Sequence, residues 1–258
     1  MTASDLTTAP RLIERLDRRR RTAGKRLSYL TGVEKLRNRL NPHSDRDLWF
    51  IWIPKSAGTS VYTWLEAELG MPKLKLPYQV KGGFPQRGPV TFGHLSTEAL
   101  LREGLVSRAY FERSYKFAFV RNPYERAVSL FYYLRRLDQV AASESFTDFL
   151  SRVADEAPAI GLFNWRGLSQ ASPQTAWLLD VDGKMLADEV FRVENFDQAC
   201  ATLAGKLGIG LSIKHENRSE RQVGSADLYR DGRAADLVRR IYRSDFEQLG
   251  YDPDATPA

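Results

Sequence analysis

Leu48-Trp-Phe-Ile-Trp-Ile-Pro-Lys-Ser-Ala-Gly-Thr-Ser-Val-Tyr-Thr-Trp-Leu65 is the stretch on which the fold turns. Its first six residues form an unbroken apolar, aromatic and β-branched run, as expected of a strand covered on both faces. Pro54 cannot donate to a ladder and ends that strand. Val61, Trp64, Leu65 and Leu69 then recur at helical spacing until Gly70 and Pro72 stop the helix. A buried strand passing through a short polar loop into a helix is half of a parallel βαβ unit.

The same signature recurs downstream. Tyr115 to Val120 reads as a strand and 123–137 as a helix. Asn122 serves as N-cap, Pro123 stands at the first helical position and Glu125 at the third, a capping-box start. Between the two passages, 71–89 is rich in Lys, Gly and Pro and reads as a long loop. A short strand at Val90 to Phe92 leads through Gly93-His94 to a Ser96-capped helix ending near Gly104. Further helices are expected at 145–155, 173–179 and 195–207, a fourth strand at Glu189 to Val193, and an amphipathic helix near the end. Such alternation argues for an α/β fold, a parallel sheet with helices on both faces. Ligands of such sheets bind at the carboxyl ends of the strands, where both loops lie.

With 258 residues and 43% hydrophobic content, the chain can bury a large core as one domain with an appendage. Its single cysteine, Cys200, precludes an internal disulfide framework, and no apolar run in the first forty residues is long enough for a signal sequence or membrane span. A cytoplasmic protein with no transmembrane segment is therefore expected. Through Leu40 there are eleven Lys or Arg against four Asp or Glu, a balance of +7 beside +6 for the whole chain. The expected organisation is a basic, mainly helical arm over 1–45, a catalytic domain over 46–251 and a disordered tail at 252–258. Two readings of the arm are open: contact with anionic lipid or a polyanion, or a solvated helix lying on the domain. Nucleic acid is not an expected partner, because the arm lacks interleaved aromatics other than Tyr29 and no zinc spacing occurs.

The first loop, Pro54-Lys-Ser-Ala-Gly-Thr-Ser60, combines one cation and several hydroxyls with the unsatisfied N–H groups of a helix start, which makes an anion site. It is not a Walker loop, lacking the second glycine and the terminal Lys-Ser/Thr pair. Gly58 is expected to let a ligand approach the backbone, and Ala57 to need no positive φ. In the second loop, Ala127, Leu130, Phe131 and Leu134 define a buried stripe, placing Ser129 on nearly the opposite side. Arg121 and Ser129 then have two readings. Either Arg121 pairs with a carboxylate while Ser129 meets water, or both grip a second phosphate.

Together, Ile53-Pro-Lys-Ser-Ala-Gly-Thr-Ser60 and Phe119-Val-Arg-Asn-Pro-Tyr-Glu-Arg-Ala-Val-Ser129 resemble the two cofactor motifs of sulfotransferases that use 3′-phosphoadenosine 5′-phosphosulfate (PAPS). The variant is similar to the carbohydrate branch that includes the uronyl 2-O-sulfotransferases. Gly93-His94, Pro173-Gln-Thr175, Phe191-Arg-Val-Glu194 and Asp245 to Tyr251 extend the resemblance over about residues 48–251. It implies a three-layer, P-loop-NTPase-like sandwich with a central parallel sheet of about four to five strands. It places the 5′-phosphosulfate on Lys55, Ser56, Ala57, Gly58, Thr59 and Ser60, and the 3′-phosphate on Arg121 and Ser129. Arg218, Ser219 and Arg221, in the charged segment His215 to Gly224, are further nucleotide contacts by the same resemblance. PAPS is the implied donor and 3′,5′-diphosphoadenosine the product, with a hydroxylated small molecule or glycan as acceptor and no metal requirement.

Sulfuryl transfer to a hydroxyl needs a base, and histidine is the usual residue for that work. Of His43, His94 and His215, His94 stands at a strand end and matches the family's Gly-His, so it is the expected base, with Lys55 stabilising the leaving group. Lys73, Lys75, Lys81, Arg87, Trp165 and Arg166 are expected around the acceptor. Two other classes are compatible with the loops: a nucleotide phosphotransferase, and a non-catalytic polyanion- or membrane-binding module with a vestigial nucleotide pocket.

Overall fold

The computed structural model describes residues 24–156, 160–161, 164–213 and 226–257. Helical residues 24–30 (α1) and α2 (Val33–Arg39) precede the sheet. Then follow β1 (Leu48–Ile51), α3 (Gly58–Leu69), α4 (Pro77–Gly83), β2 (Pro89–Val90), α5 (Thr97–Arg102), α6 (Arg108–Arg113) and β3 (Tyr115–Val120). The second half adds α7 (Pro123–Arg135), α8 (Phe146–Glu156), a hairpin of β4 (Asn164–Trp165) and β5 (Leu168–Ser169), α9 (Thr175–Leu178) and β6 (Glu189–Arg192). It closes with α10 (Phe196–Leu207), α11 (Arg233–Ile241) and α12 (Arg243–Leu249).

The main sheet has the order β2-β1-β3-β6, and every neighbouring pair is parallel. Alternate β1 residues serve two cores, as the period of two along a strand requires. Trp49 and Ile51 join α4, α5, α7 and α8 on one face, while Leu48, Phe50 and Trp52 pack with Val61 and Leu65 of α3 and Cys200 and Leu203 of α10 on the other. The expected three-layer α/β sandwich with four parallel strands is therefore the architecture observed. From β1 the chain moves outward to β2 and then crosses to β3 on the other side, so the sheet's topological switch point lies between the carboxyl ends of β1 and β3.

Two segments differ from expectation. The loop 71–89 contains α4 and also pairs alongside β2, through an isolated parallel bridge between Lys73 and Thr91. Helix α6 carried no strong periodicity and is set by its N-cap, where the Ser107 hydroxyl accepts from Tyr110 N at 3.2 Å. The described part of the arm lies on the domain, which was one of the two open readings. Tyr29 is buried, and Asn38 donates its side-chain amide to Gly83 O at 2.7 Å. At the other end the Pro253 carbonyl accepts from the Tyr124 hydroxyl, fixing the start of the segment expected as a tail. Among the described residues no helix is long and apolar enough to cross a membrane.

Candidate active site

The first loop folds through two left-handed residues. Lys55 has φ 67° and Ala57 φ 55°, whereas Gly58 is already the first residue of α3. The sequence expectation thus had the small residues reversed: Ala57 takes the positive φ that glycine accepts most readily, at a cost of roughly 1–2 kcal/mol. Gly58 is needed for a different reason. A Cβ there would fall 1.9 Å from Trp52 Nε1, so it is the Trp52 indole, not a ligand, that demands glycine. Ala57 is the N-cap of α3 and offers no side chain to the first-turn N–H groups. An α-helix start without a side-chain cap presents those donors and the positive end of its dipole to whatever lies above.

Lys55 sits in that mouth with its ammonium 3.8 Å from the Tyr133 ring centroid. Burial, followed by the fields of Arg136, Arg121 and Arg126, lowers its pKa to about 7. Lys55 thus shares its surroundings with three arginines, of which Arg121 is paired with Glu125. Ser56 is buried and donates its hydroxyl to Gln174 Oε1 at 3.2 Å, rather than pointing it into the mouth. Thr59 is exposed on the first turn and Ser60 is buried.

In the second loop Asn122 caps α7 by accepting Tyr124 N at 2.9 Å. The Asn122 N–H goes to Glu194 Oε1 at 2.6 Å, so Glu125 does not complete a capping box. Its carboxylate instead takes the Arg121 guanidinium at 3.0 Å, the pairing that was one of the two open readings. Ser129 differs from expectation in being buried: α7 has α8 and α11 on the side away from the sheet, so almost its whole circumference is covered. Among the described residues the Ser129 hydroxyl has no hydrogen-bond partner. Arg218, Ser219 and Arg221 lie outside the described residues.

One buried network joins the two loops, and sequence reasoning gave it no role. Gln174, fully buried, accepts from Ser56 Oγ and from Arg121 N (2.9 Å), and its amide donates to Arg121 O at 2.8 Å. Asp245, equally buried, accepts from Gln174 N (2.9 Å) and Thr175 N (3.0 Å). Burial raises the Asp245 pKa, countered by Arg126 and these N–H donors. Arg126 lies in the same interior, donating to the carbonyls of Pro54 (3.0 Å), Gln170 (3.1 Å) and Ser172 (2.9 Å), while its Nη1 has no hydrogen-bond partner among the described residues. The Pro173-Gln-Thr175 and Asp245 motifs are therefore the brace that sets one anion loop against the other.

His94 follows β2 and its Nδ1 lies 2.9 Å from Trp52 O. A carbonyl only accepts, so the proton is on Nδ1 and the basic lone pair of the neutral ring is on Nε2. Burial, together with the fields of Lys75, Lys55 and Lys73, depresses its pKa to about 4. The ring is neutral at physiological pH. Of the residues expected around an acceptor, Lys73 and Lys75 lie beside His94, as those fields require. Arg87 does not: it donates to Ser44 O at 2.9 Å near the amino end of β2, opposite the site. Arg166 pairs with Glu103. Among the described residues no three His, Cys, Asp or Glu side chains cluster as metal ligands do.

These features define an α/β protein with an uncapped helix start and a lysine among three arginines at its switch point, and a neutral histidine at the end of the next strand. The chain belongs to the sulfotransferase family, whose family model matches residues 40–252. Two solved structures are similar. A sulfotransferase from Alicyclobacillus acidocaldarius shares 14% identity over 76% of this chain and 97% of its own, with a TM-score of 0.39. Mouse sulfotransferase SULT7A1 complexed with PAP shares 15% over 83% of this chain and 71% of its own, also with a TM-score of 0.39. No curated protein matches the sequence.

Proposed function

We propose that this protein transfers the sulfuryl group of PAPS to a hydroxyl of a carbohydrate acceptor, releasing 3′,5′-diphosphoadenosine. The observation that carries this reading is the meeting of three elements at the switch point. They are the uncapped start of α3, the Lys55 ammonium crowded by three arginines, and His94 held by the carbonyl of the residue two positions before Pro54. Such an accumulation of cations fits a polyanionic nucleotide, whose charge relieves their mutual repulsion. Residues 55–60 hold the 5′ end, and Arg121 and Ser129 the 3′-phosphate. PAPS supplies an activated sulfuryl group.

The residues of the chain do the rest. His94 Nε2 takes the acceptor's hydroxyl proton, with Trp52 O fixing the ring's tautomer and orientation. Lys55, recharged by the bound anion, neutralises the oxygen on which negative charge collects. The Gln174–Asp245 brace keeps both loops in register before the donor arrives, so little reorganisation is left for the reaction itself.

Thermal unfolding with 3′,5′-diphosphoadenosine or with ATP and magnesium tests the nucleotide. A ligand at about a hundred times its Kd adds roughly 2.7 kcal/mol. Selective stabilisation by the 3′-phosphorylated nucleotide is expected. Preference for ATP supports a phosphotransferase instead, and no response to either supports a binding module. Transfer of labelled sulfate from PAPS to a panel of glycans and small hydroxylated compounds then tests the reaction.

A further inference from the structure

Helix α2 is amphipathic with its apolar side turned outward. On the domain side Asn38 donates to Gly83 O at 2.7 Å, and Glu34, one turn earlier, is held by the Ser28 hydroxyl at 3.0 Å and by Arg37 at 3.3 Å. Val33, Leu36 and the C-cap Leu40, spaced i, i+3 and i+7, form a stripe on the far side, and no residue of α2 is buried. The pattern begins in α1, where Tyr29 is buried while Leu27 and Leu30 are exposed. All five apolar side chains are more than half exposed, and they are five of the nine large hydrophobic side chains exposed among the described residues. Gathered between Leu27 and Leu40, they make a patch, unlike the scattered single residues that any surface carries.

Cations border it. At about 100° of rotation per residue, Arg37 and Arg39 fall on opposite flanks of the α2 stripe. Lys25, Lys35 and Arg39 are exposed and form no ion pair among the described residues, and Arg26 lies over the Tyr78 ring at 5.6 Å. Immediately upstream, Arg11 to Arg21 adds six arginines against Glu14 and Asp17.

Whatever covers this face has to be apolar and anionic together. A second copy in two-fold contact would set the same cations against themselves. A return of the upstream arginines onto the patch would do likewise. The patch is also aliphatic throughout, whereas protein interfaces are anchored on Trp, Tyr and Arg, with Leu under-represented. An anionic bilayer meets both demands: the leucines enter the boundary between headgroups and acyl chains, and the flanking Lys and Arg stems carry their charges to the headgroups. Among the described residues no helix is long and apolar enough to cross a membrane, so such contact is peripheral.

We infer that the outer face of α1 and α2 is a binding surface for anionic lipid. The inner face holds the domain through Tyr29 and Asn38, so the two helices join the domain to the bilayer.

The full chain is sedimented with sucrose-loaded vesicles of phosphatidylcholine, alone or mixed with phosphatidylserine, at low and high salt. The triple variant Leu30→Ser, Leu36→Ser, Leu40→Ser removes the stripe, and the double variant Lys35→Gln, Arg39→Gln removes two bordering charges. Wild type is expected to bind the phosphatidylserine vesicles at least about tenfold more tightly than phosphatidylcholine alone, with an affinity that falls as salt rises. The leucine variant should lose about tenfold or more at either salt, and the cation variant should show a shallower salt dependence. Both should keep the wild-type urea midpoint, because the replaced side chains are exposed. Equal binding to the two vesicle types, or binding to neither, overturns the proposal. So does a leucine variant that binds like wild type, since the upstream arginines alone then hold the lipid. Sedimentation equilibrium without lipid supplies the last outcome: a dimer that the leucine variant dissolves assigns the face to a second copy and overturns the proposal as well.

Discussion

Nucleotide binding should draw a proton onto Lys55. The lysine's pKa is about 7 because it is buried and surrounded by Arg136, Arg121 and Arg126. At pH 8 it is then about one-tenth protonated. A polyanion bound over the α3 N-terminus offsets those three positive fields and returns the lysine towards its ordinary 10.5. Binding at pH 8 should therefore take up about 0.9 proton. His94, at about 4, starts too low to contribute appreciably at that pH. The assay is calorimetric titration of 3′,5′-diphosphoadenosine in Hepes, Tricine and Tris, plotting observed enthalpy against buffer ionisation enthalpy; the slope is the proton count. Lys55→Met removes the titrating group and should bring the slope near zero. The affinity of the wild type should also weaken nearly tenfold per pH unit above pH 7, while the variant's stays flat. A wild-type slope near zero, or one that Lys55→Met leaves intact, refutes the argument that this lysine is neutralised by its surroundings and recharged by the ligand.

Three other outcomes follow from the site. Gln174→Ala strands the Ser56 hydroxyl and the Arg121 backbone, while the N–H of residue 174 still serves Asp245, at about 1–3 kcal/mol for each buried polar group left unmatched; urea unfolding should show the loss, and nucleotide Kd should rise at least tenfold. Ala57→Gly relieves a left-handed alanine against a greater loss of backbone entropy, so the urea midpoint should hold or rise by up to about 1 kcal/mol, and a clear fall would contradict the geometry. His94→Asn should lower turnover by about two orders of magnitude or more. It should also flatten the acid side of the stability profile. The folded pKa of about 4 lies below the ordinary 6.5, so between those values the unfolded chain holds the extra proton and stability falls as pH falls, by about 3 kcal/mol in all. Unfolding free energies of wild type and variant at pH 4.5 and 7 measure the difference.

The strand and helix alternation was readable because buried parallel strands such as Leu48 to Ile51 are continuous apolar runs, and because Pro54, Asn122 and Ser96 punctuate their ends. Helix α4 was not readable, since Lys81-Gly-Gly83 looks like loop; its glycines leave room for Tyr29, which docks from outside the segment. Ser129 was misplaced for a related reason. The period of a single helix reveals one covered face, but not that α8 and α11 cover the other. The two loops were visible as local strand-to-helix turns. The brace was not, because the partners of Gln174 lie 118, 53 and 71 residues away, and no spacing rule reaches that far.

Trp52 and Gly58 share one volume, and that has a consequence for sequence variation. The indole occupies the space a side chain at 58 would need, while the same tryptophan's carbonyl holds His94. Position 58 cannot drift alone. A chain that acquires even alanine at 58 must first shrink residue 52, and once that ring is gone Lys73 keeps only one of its two aromatic faces, that of Tyr62. Substitutions at 52, 58 and 73 are thus expected to arrive in a fixed order, the tryptophan changing before the glycine, so that the loop after β1 and the chain at Lys73 diversify as one unit.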